Sequence, residues 1–383
     1  MNTPDIIKKV PGIRFNYSDE DIAFVQNGIE EILRSGYFTM GEKVAEFERQ
    51  FAEFVDVEYA IAVNNGTSAL EVCLRALRVE GKSVIIPTNT FMATPLAAIH
   101  AGAKIIFVDV MPDNLSIDPE DLKRKIRKDT IGVIPVHIGG IISTYWDDII
   151  KICNNNNLFV LEDAAHAHGA SFNGKMAGSL GIAGSFSFYP TKIINTAEGG
   201  MITTNEKFIY KLALQLREHG KEDPRYYVHT ELGSNWRFSE LHALLGLQQM
   251  KKVSWILAAR QHHAELYNRY LKDIKGINIL SIPENLVCSY YKYIVYLDKI
   301  YDRDKIKSIL KNKFGVSLPS EVYPNLCHTQ PVFKKYPDLI LNDPNDEFPG
   351  AEYISNHQIC LPIYPDLKDE ELKYVVDCLK KVI

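Results

Sequence analysis

The sequence predicts an α/β fold: a large, mostly parallel sheet sandwiched by helices, followed by a smaller α+β unit. Three observations carry that prediction. From Tyr59 onward short apolar runs alternate with helical stretches, the pattern of parallel strands joined by crossover helices. Beyond about Arg237 the alternation is lost, and strands and helices follow in irregular order. The 383 residues exceed one typical domain and leave room for a substantial core. The expected division is residues 1–250 for the large domain with its N-terminal helices and 251–383 for the smaller one.

Ser18 and Asp21 have the spacing of a helix cap, and Ile22, Val25, Ile29, Ile32 and Leu33 recur at helical spacing until Gly36 stops the run. A second helix carries Val44, Phe47, Phe51 and Phe54 on one face, with Thr39 and Gly41 at its entrance. Strands are then expected at YAIAV (59–63), SVIIP (83–87), IIFVDV (105–110), VIPVHI (133–138) and LFVLED (158–163). Helices from about Thr67, Phe91, Pro119 and Trp146 fall between them. A long helical stretch runs from Arg237 to about Ile274, punctuated mainly by Gly246. SYYKYIVYL (289–297), a helix from Asp302 to about Phe314 and a closing helix from about Asp369 complete the chain.

Composition excludes several classes. A net charge of -5 with mixed-sign residues leaves no footprint for nucleic acid. The longest apolar runs are strand-sized, far short of a bilayer span, so no membrane partner is expected. MNTPDIIKKVPG lacks the apolar core and cleavage site of a secretory signal, which makes a cytoplasmic location the expectation. Six scattered cysteines without a CxxC pair point to neither a zinc site nor a disulfide framework.

The chemistry centres on GSFSFYPTKIINTAEGGMITTN (184–205), where Lys192 stands between two strand-like runs, with apolar neighbours and Ser187 five residues earlier. A lysine becomes a covalent catalyst when desolvation keeps its amine from being a solvated ammonium. In NNGTSAL (64–70) Gly66 allows a tight turn, and the amides of Thr67 and Ser68 open a helix, which makes an anion site or an ordinary cap. In LEDAAHAHGA (161–170) Asp163 ends a buried strand and requires a cationic partner, either a protonated heterocyclic nitrogen or an arginine. His166 and His168 follow in the same loop. Phe91, in TNTFMATPLAAIHAGA (88–103), stands at a strand-to-helix junction, where a ring lies against a planar ligand or in the core. A phosphate-binding helix start, a planar aromatic, a buried aspartate and a lysine together describe one site: pyridoxal 5'-phosphate held as a Schiff base.

These motifs, with SGYFTMGEKVAEFE, LREHGK, GSNWRFSELHALLGLQQ, VYPNLCHTQPVF and LPIYPDLKDEE, resemble nearly end to end the DegT/StrS-type sugar aminotransferases. The resemblance implies the PLP-dependent transferase fold of the aspartate-aminotransferase-like kind (fold type I). It implies transfer of an amino group from glutamate or glutamine to a keto carbon of a nucleotide-linked sugar. Lys192 would carry the cofactor and move protons, Asp163 would pair with its pyridine nitrogen, Phe91 would stack on its ring, and His166 would bond near its phenolic oxygen. Thr67, Ser68 and Ser187 would hold the phosphate. Asn235 matches a residue that reaches the neighbouring subunit's phosphate, implying a homodimer with shared sites. Tyr323 and His328 match a segment that approaches the substrate side. IGG after His137 and TAEGG after Lys192 depart from the family's commoner wording, so the acceptor is less fixed than the cofactor; a keto-cyclitol or triose phosphate is the nearest alternative. The family's dehydratase branch has histidine at the lysine position, and Lys192 argues against it. A non-catalytic regulator is the third alternative.

Overall fold

A computed structural model describes residues 9–15, 17–223 and 225–383. Its large sheet has seven strands: β1 Tyr59–Val63, β2 Ser83–Pro87, β3 Lys104–Val108, β4 Thr130–Val133, β5 Phe159–Asp163, β6 Ala183–Ser187 and β7 Gly200–Thr204. Their order across the sheet is β1-β7-β6-β5-β4-β2-β3. Strands β3, β2, β4, β5 and β6 run parallel, while β7 lies antiparallel between β6 and β1. Strands β2 and β7 are buried throughout and the others nearly so, as expected of a sheet covered on both faces.

The helices of this part are α1 Asp19–Ser35, α2 Glu42–Val55, α3 Gly66–Ala76, α4 Ala93–His100, α5 Pro119–Lys125, α6 Trp146–Asn155, α7 Lys207–Arg217 and α8 Glu240–Met250. Ser18 and Asp21 form the reciprocal cap that their spacing predicts. The apolar stripe of α1 is a different matter. Ile22, Ile29 and Leu33 are exposed, because α1 meets α8 through Gly28, where an added Cβ would lie 2.4 Å from Leu244.

Two expectations need correction. The strand expected over 133–138 starts earlier, at Thr130, and ends at Val133. Pro135 has no amide to donate, so beyond it only single bonds continue, from His137 to the Asp163 carbonyl and from Asp163 to the Pro135 carbonyl. Gly246 does not punctuate the long helix. It lies inside α8 with its Cα against the Phe47 ring, and the chain breaks instead at Lys251–Lys252, before α9 Val253–Leu271.

After α9 a three-stranded antiparallel sheet, β8 Ile277–Ile279, β9 Tyr293–Leu297 and β10 Gln358–Leu361, has β9 in its middle. Its core includes Tyr267, Val295, Leu310, Leu361 and Val376, and also Val10, which pairs with Val316 from the N-terminal segment. All six cysteines are buried and unpaired, and among the described residues no helix is long and apolar enough to cross a membrane.

Candidate active site

The sheet brings the ends of β1, β2, β5 and β6 to one edge, where ligand groups gather in open α/β sheets. At the end of β1, the Asn65 side chain accepts from the Ser68 amide at 2.8 Å and caps α3. The amides of Gly66 and Thr67 have no helical carbonyl four residues back and open outward. Gly66 must be glycine here: a Cβ would lie 2.8 Å from that of Ser187 on β6. Thr67, Ser68 and Ser187 therefore meet at one helix start, with the Ser185 hydroxyl bonded to the Gly66 carbonyl beneath them at 3.2 Å.

Asp163 ends β5 at 5% exposure. Its carboxylate accepts from the Thr94 hydroxyl at 2.7 Å and the Ala165 amide at 3.2 Å. Because Thr94 spends its proton on Asp163, the Thr90 hydroxyl 2.9 Å away must donate to Thr94. Among the described residues no arginine pairs with Asp163, so the arginine alternative falls. Burial pushes its carboxyl above the usual range, against the pull of Thr94 and Ala165.

Next to it on β5, Glu162 is fully buried and accepts from the amides of Gly178, Leu180 and Gly181 at 2.7–2.8 Å and from His137 Nε2 at 2.9 Å. These charge-assisted bonds tie the 178–181 turn and the 137–140 turn to the strand that presents Asp163.

Lys192 follows β6, its amine 4.8 Å from the centre of the Tyr291 ring. Tyr291 in turn bonds Thr191 at 3.0 Å and lies 4.2 Å from the His166 ring. Burial lowers the Lys192 pKa to about 7, opposed by Asp163 and helped by Lys292. Below that pH the group is an ammonium and above it a free amine. Labelling of Lys192 by an amine reagent in the cofactor-free protein should therefore rise with pH to a midpoint near 7 and then level off, whereas an ordinary lysine keeps rising to about 10.4. Peptide mass spectrometry across that range measures it, and a midpoint near 10 would place Lys192 in water.

His166 is buried, and burial holds its pKa well below the ordinary value. The Gly139 amide donates to Nδ1 at 3.3 Å, which leaves the proton on Nε2, 3.2 Å from the Tyr323 hydroxyl. The IGG departure thus lies directly against this histidine, with Gly139 and Gly140 at φ 68° and 91°. Phe91 is 61% exposed, which rules out core packing; its ring is 5.8 Å from that of Tyr323. His168 lies outside the cluster, enclosed by Phe51, Phe186 and Phe188.

One chain does not bring every expected residue together. His328 bonds Thr88 at 2.6 Å and stacks on Phe348, apart from the Lys192 cluster. Asn235 is exposed, bridging Glu218 beside a stretch whose Tyr226, Tyr227, Val228 and Leu232 are also exposed. Sequence reasoning missed Thr94 and Tyr291. Thr94 had a signal, one turn beyond Phe91; Tyr291, about a hundred positions from Thr191, had none.

The DegT/DnrJ/EryC1/StrS aminotransferase family matches residues 19–380. A pleiotropic regulatory protein of Geobacillus stearothermophilus is 33% identical over 91% of both chains. GDP-perosamine synthase of Vibrio cholerae is 31% identical over 92% of this chain and 94% of its own. The solved structure of NtdA from Bacillus subtilis with bound cofactor PMP superposes with a TM-score of 0.89 at 28% identity, covering all of this chain and 86% of the other. The large sheet and smaller unit are thus the aspartate-aminotransferase-like fold (fold type I). With the match running nearly from end to end, the chain belongs to the DegT/DnrJ/EryC1/StrS aminotransferase family.

Proposed function

We propose that this aminotransferase uses pyridoxal 5'-phosphate to move an amino group from glutamate or glutamine to a keto carbon of a nucleotide-linked sugar. The observation that carries the reading is Asp163, a buried carboxylate to which no cation is bonded among the described residues, in the same cluster as a desolvated lysine. A protonated pyridine nitrogen is the partner such a carboxylate lacks. Thr67, Ser68, Ser187 and the opening amides of α3 would hold the phosphate, Phe91 would lie against the ring, and His166 would bond near the phenolic oxygen. When bound, the cofactor supplies an electron sink for the carbon that gains or loses the amine. Thr94 and Ala165 favour the ionised form of Asp163 against its burial and aim the carboxylate. Lys192, with a pKa near neutrality, accepts a proton as readily as it returns one. Tyr323, beside His166 and Phe91, belongs to the acceptor side, and His328, held on Thr88 and Phe348, reaches it only through the segment that the two share. In this reading residues 1–250 supply the cofactor-binding unit, apart from Val10, which packs in the core of the smaller unit of residues 251–383.

The relative named for a GDP-linked sugar supports a nucleotide-linked acceptor. A screen of keto-sugar nucleotides and small keto-phosphates, with glutamate and glutamine as donors, tests this. Turnover of small ketones alone would replace the sugar acceptor by a keto-cyclitol or triose phosphate. No turnover with any acceptor would favour a regulator, in line with the regulatory relative's name.

The working unit in this reading is a homodimer. The uncovered stripe Ile22, Ile29 and Leu33, with Tyr37 and Phe38, is an apolar surface that a second copy would cover, and Asn235 needs a partner's site to act on. Mixing Lys192→Ala with Asn235→Ala should restore activity, because one site of each hybrid dimer carries neither lesion. No recovery in dimers shown to exchange subunits would remove Asn235 from the partner's site.

A further inference from the structure

Two cations near the Lys192 site are bonded to no acid among the described residues. The Lys292 ammonium lies 5.2 Å from the centre of the same Tyr291 ring that Lys192 approaches to 4.8 Å. Among the described residues Lys292 makes no salt bridge; Glu321, whose charge reaches it, is bonded to Lys307. Arg260 on α9 is 4% exposed. Its Nη1 donates to the Tyr290 and Ile363 carbonyls at 2.8 and 3.2 Å, its Nε has no partner, and no carboxylate meets it among the described residues. Both cations line a cavity with Ile13, Thr191 and Tyr291. Ile13, Thr191 and Arg260 also line an adjoining cavity that reaches Lys192. The acid on that second cavity's wall, Asp366, faces Arg14 at 3.8 Å, and the Lys252 there is bonded to Asp21.

A buried cation without a counter-charge is costly, and it persists where a ligand supplies the charge. We propose that Lys292, backed by Arg260, is the subsite for a carboxylate of the amino-acid donor. Distance favours the donor over the diphosphate of a sugar nucleotide. The α-carboxylate is bonded directly to the carbon that carries the amine, so its cation must stand in the neighbourhood of Lys192, and Lys292 shares the Tyr291 ring with that lysine. A diphosphate lies several bonds from a keto carbon and would call for a cation farther out. The subsite rests on the aminotransferase reading, which identifies that carbon.

The test is Lys292→Met in the cofactor-loaded enzyme, with Lys292→Arg as the charge-retaining control and glutarate as a dicarboxylate probe that lacks the reacting amine. Calorimetry should show glutarate binding to wild type, weakened roughly ten- to a hundredfold in the Met variant and largely kept in the Arg variant. The cofactor should still load, since Lys292 bonds neither Asp163 nor the helix start, and the melting temperature should not fall, since the change removes a costly buried charge. The KM for the donor should rise by the same factor, with kcat and the acceptor KM within about twofold. Glutarate binding that is absent from wild type or unchanged in Lys292→Met would overturn the assignment. So would a loss confined to the acceptor half-reaction, which would give the cations to the sugar's diphosphate. Glutarate binding needs no turnover, so a wrong aminotransferase reading would appear as missing transfer with binding intact.

Discussion

Lys192→Ala should lower transfer by more than about 10⁴-fold, because the change removes the covalent anchor and the proton carrier together. Lys192→Arg should not rescue it, since a guanidinium stays protonated and cannot exchange protons near neutrality. Cofactor binding should survive in both, for the α3 opening, Asp163 and Phe91 are untouched. Borohydride treatment of the loaded wild type should fix the cofactor on the peptide that contains Lys192. A label on any other lysine would sink the assignment, and so would substantial turnover by the Ala variant.

Asp163→Asn should cost about 10³-fold in kcat, the second largest effect, with little change in the fold. Asparagine fills the same space and still accepts from Thr94, so what is lost is the negative charge. Without that charge a pyridine nitrogen has no reason to keep its proton, and the electron sink is weakened. Thr94→Val removes one bond to the carboxylate rather than the carboxylate, and should cost about tenfold. The ordering of the two losses is the discriminating result. If Thr94→Val were as damaging as Asp163→Asn, the hydroxyl rather than the carboxylate would be acting. If Asp163→Asn were harmless, Asp163 would be a structural residue.

Much of this architecture is legible in the sequence because burial writes it there. The strands β1, β2 and β3 are largely apolar runs, since both their faces are covered, and Asp163 at the end of β5 and Lys192 in the loop after β6 stand out as polar exceptions. β4 is misplaced because Val133 to Ile138 is apolar on both sides of Pro135, and hydropathy does not register a missing amide. Gly246 reads as a break because propensity cannot see Phe47 closing in from α2. The long-range parts of the site are the least legible. Tyr291 and Lys292 reach Lys192 only through the docking of β9, and no local pattern announces a contact across a hundred residues. The exposed stripe of α1 reads as a core face for the opposite reason, since periodicity reports that a face is apolar without reporting what covers it.

The reversed strand β7 imposes an order on synthesis. β1 stands at the edge of the sheet, and among the described residues its one partner strand is β7, with Tyr59 opposite Thr204. At about 5–20 residues per second, β1 leaves the ribosome roughly 7–30 s before that partner exists. Through that interval an apolar strand is held by α2 and α3 alone, with its backbone groups unpaired. β6 is finished only just before β7, with the Lys192 loop between them, so the last strand to enter the sheet both closes it and fixes the lysine. Chains arrested before Gly200 are therefore the ones most in need of a chaperone.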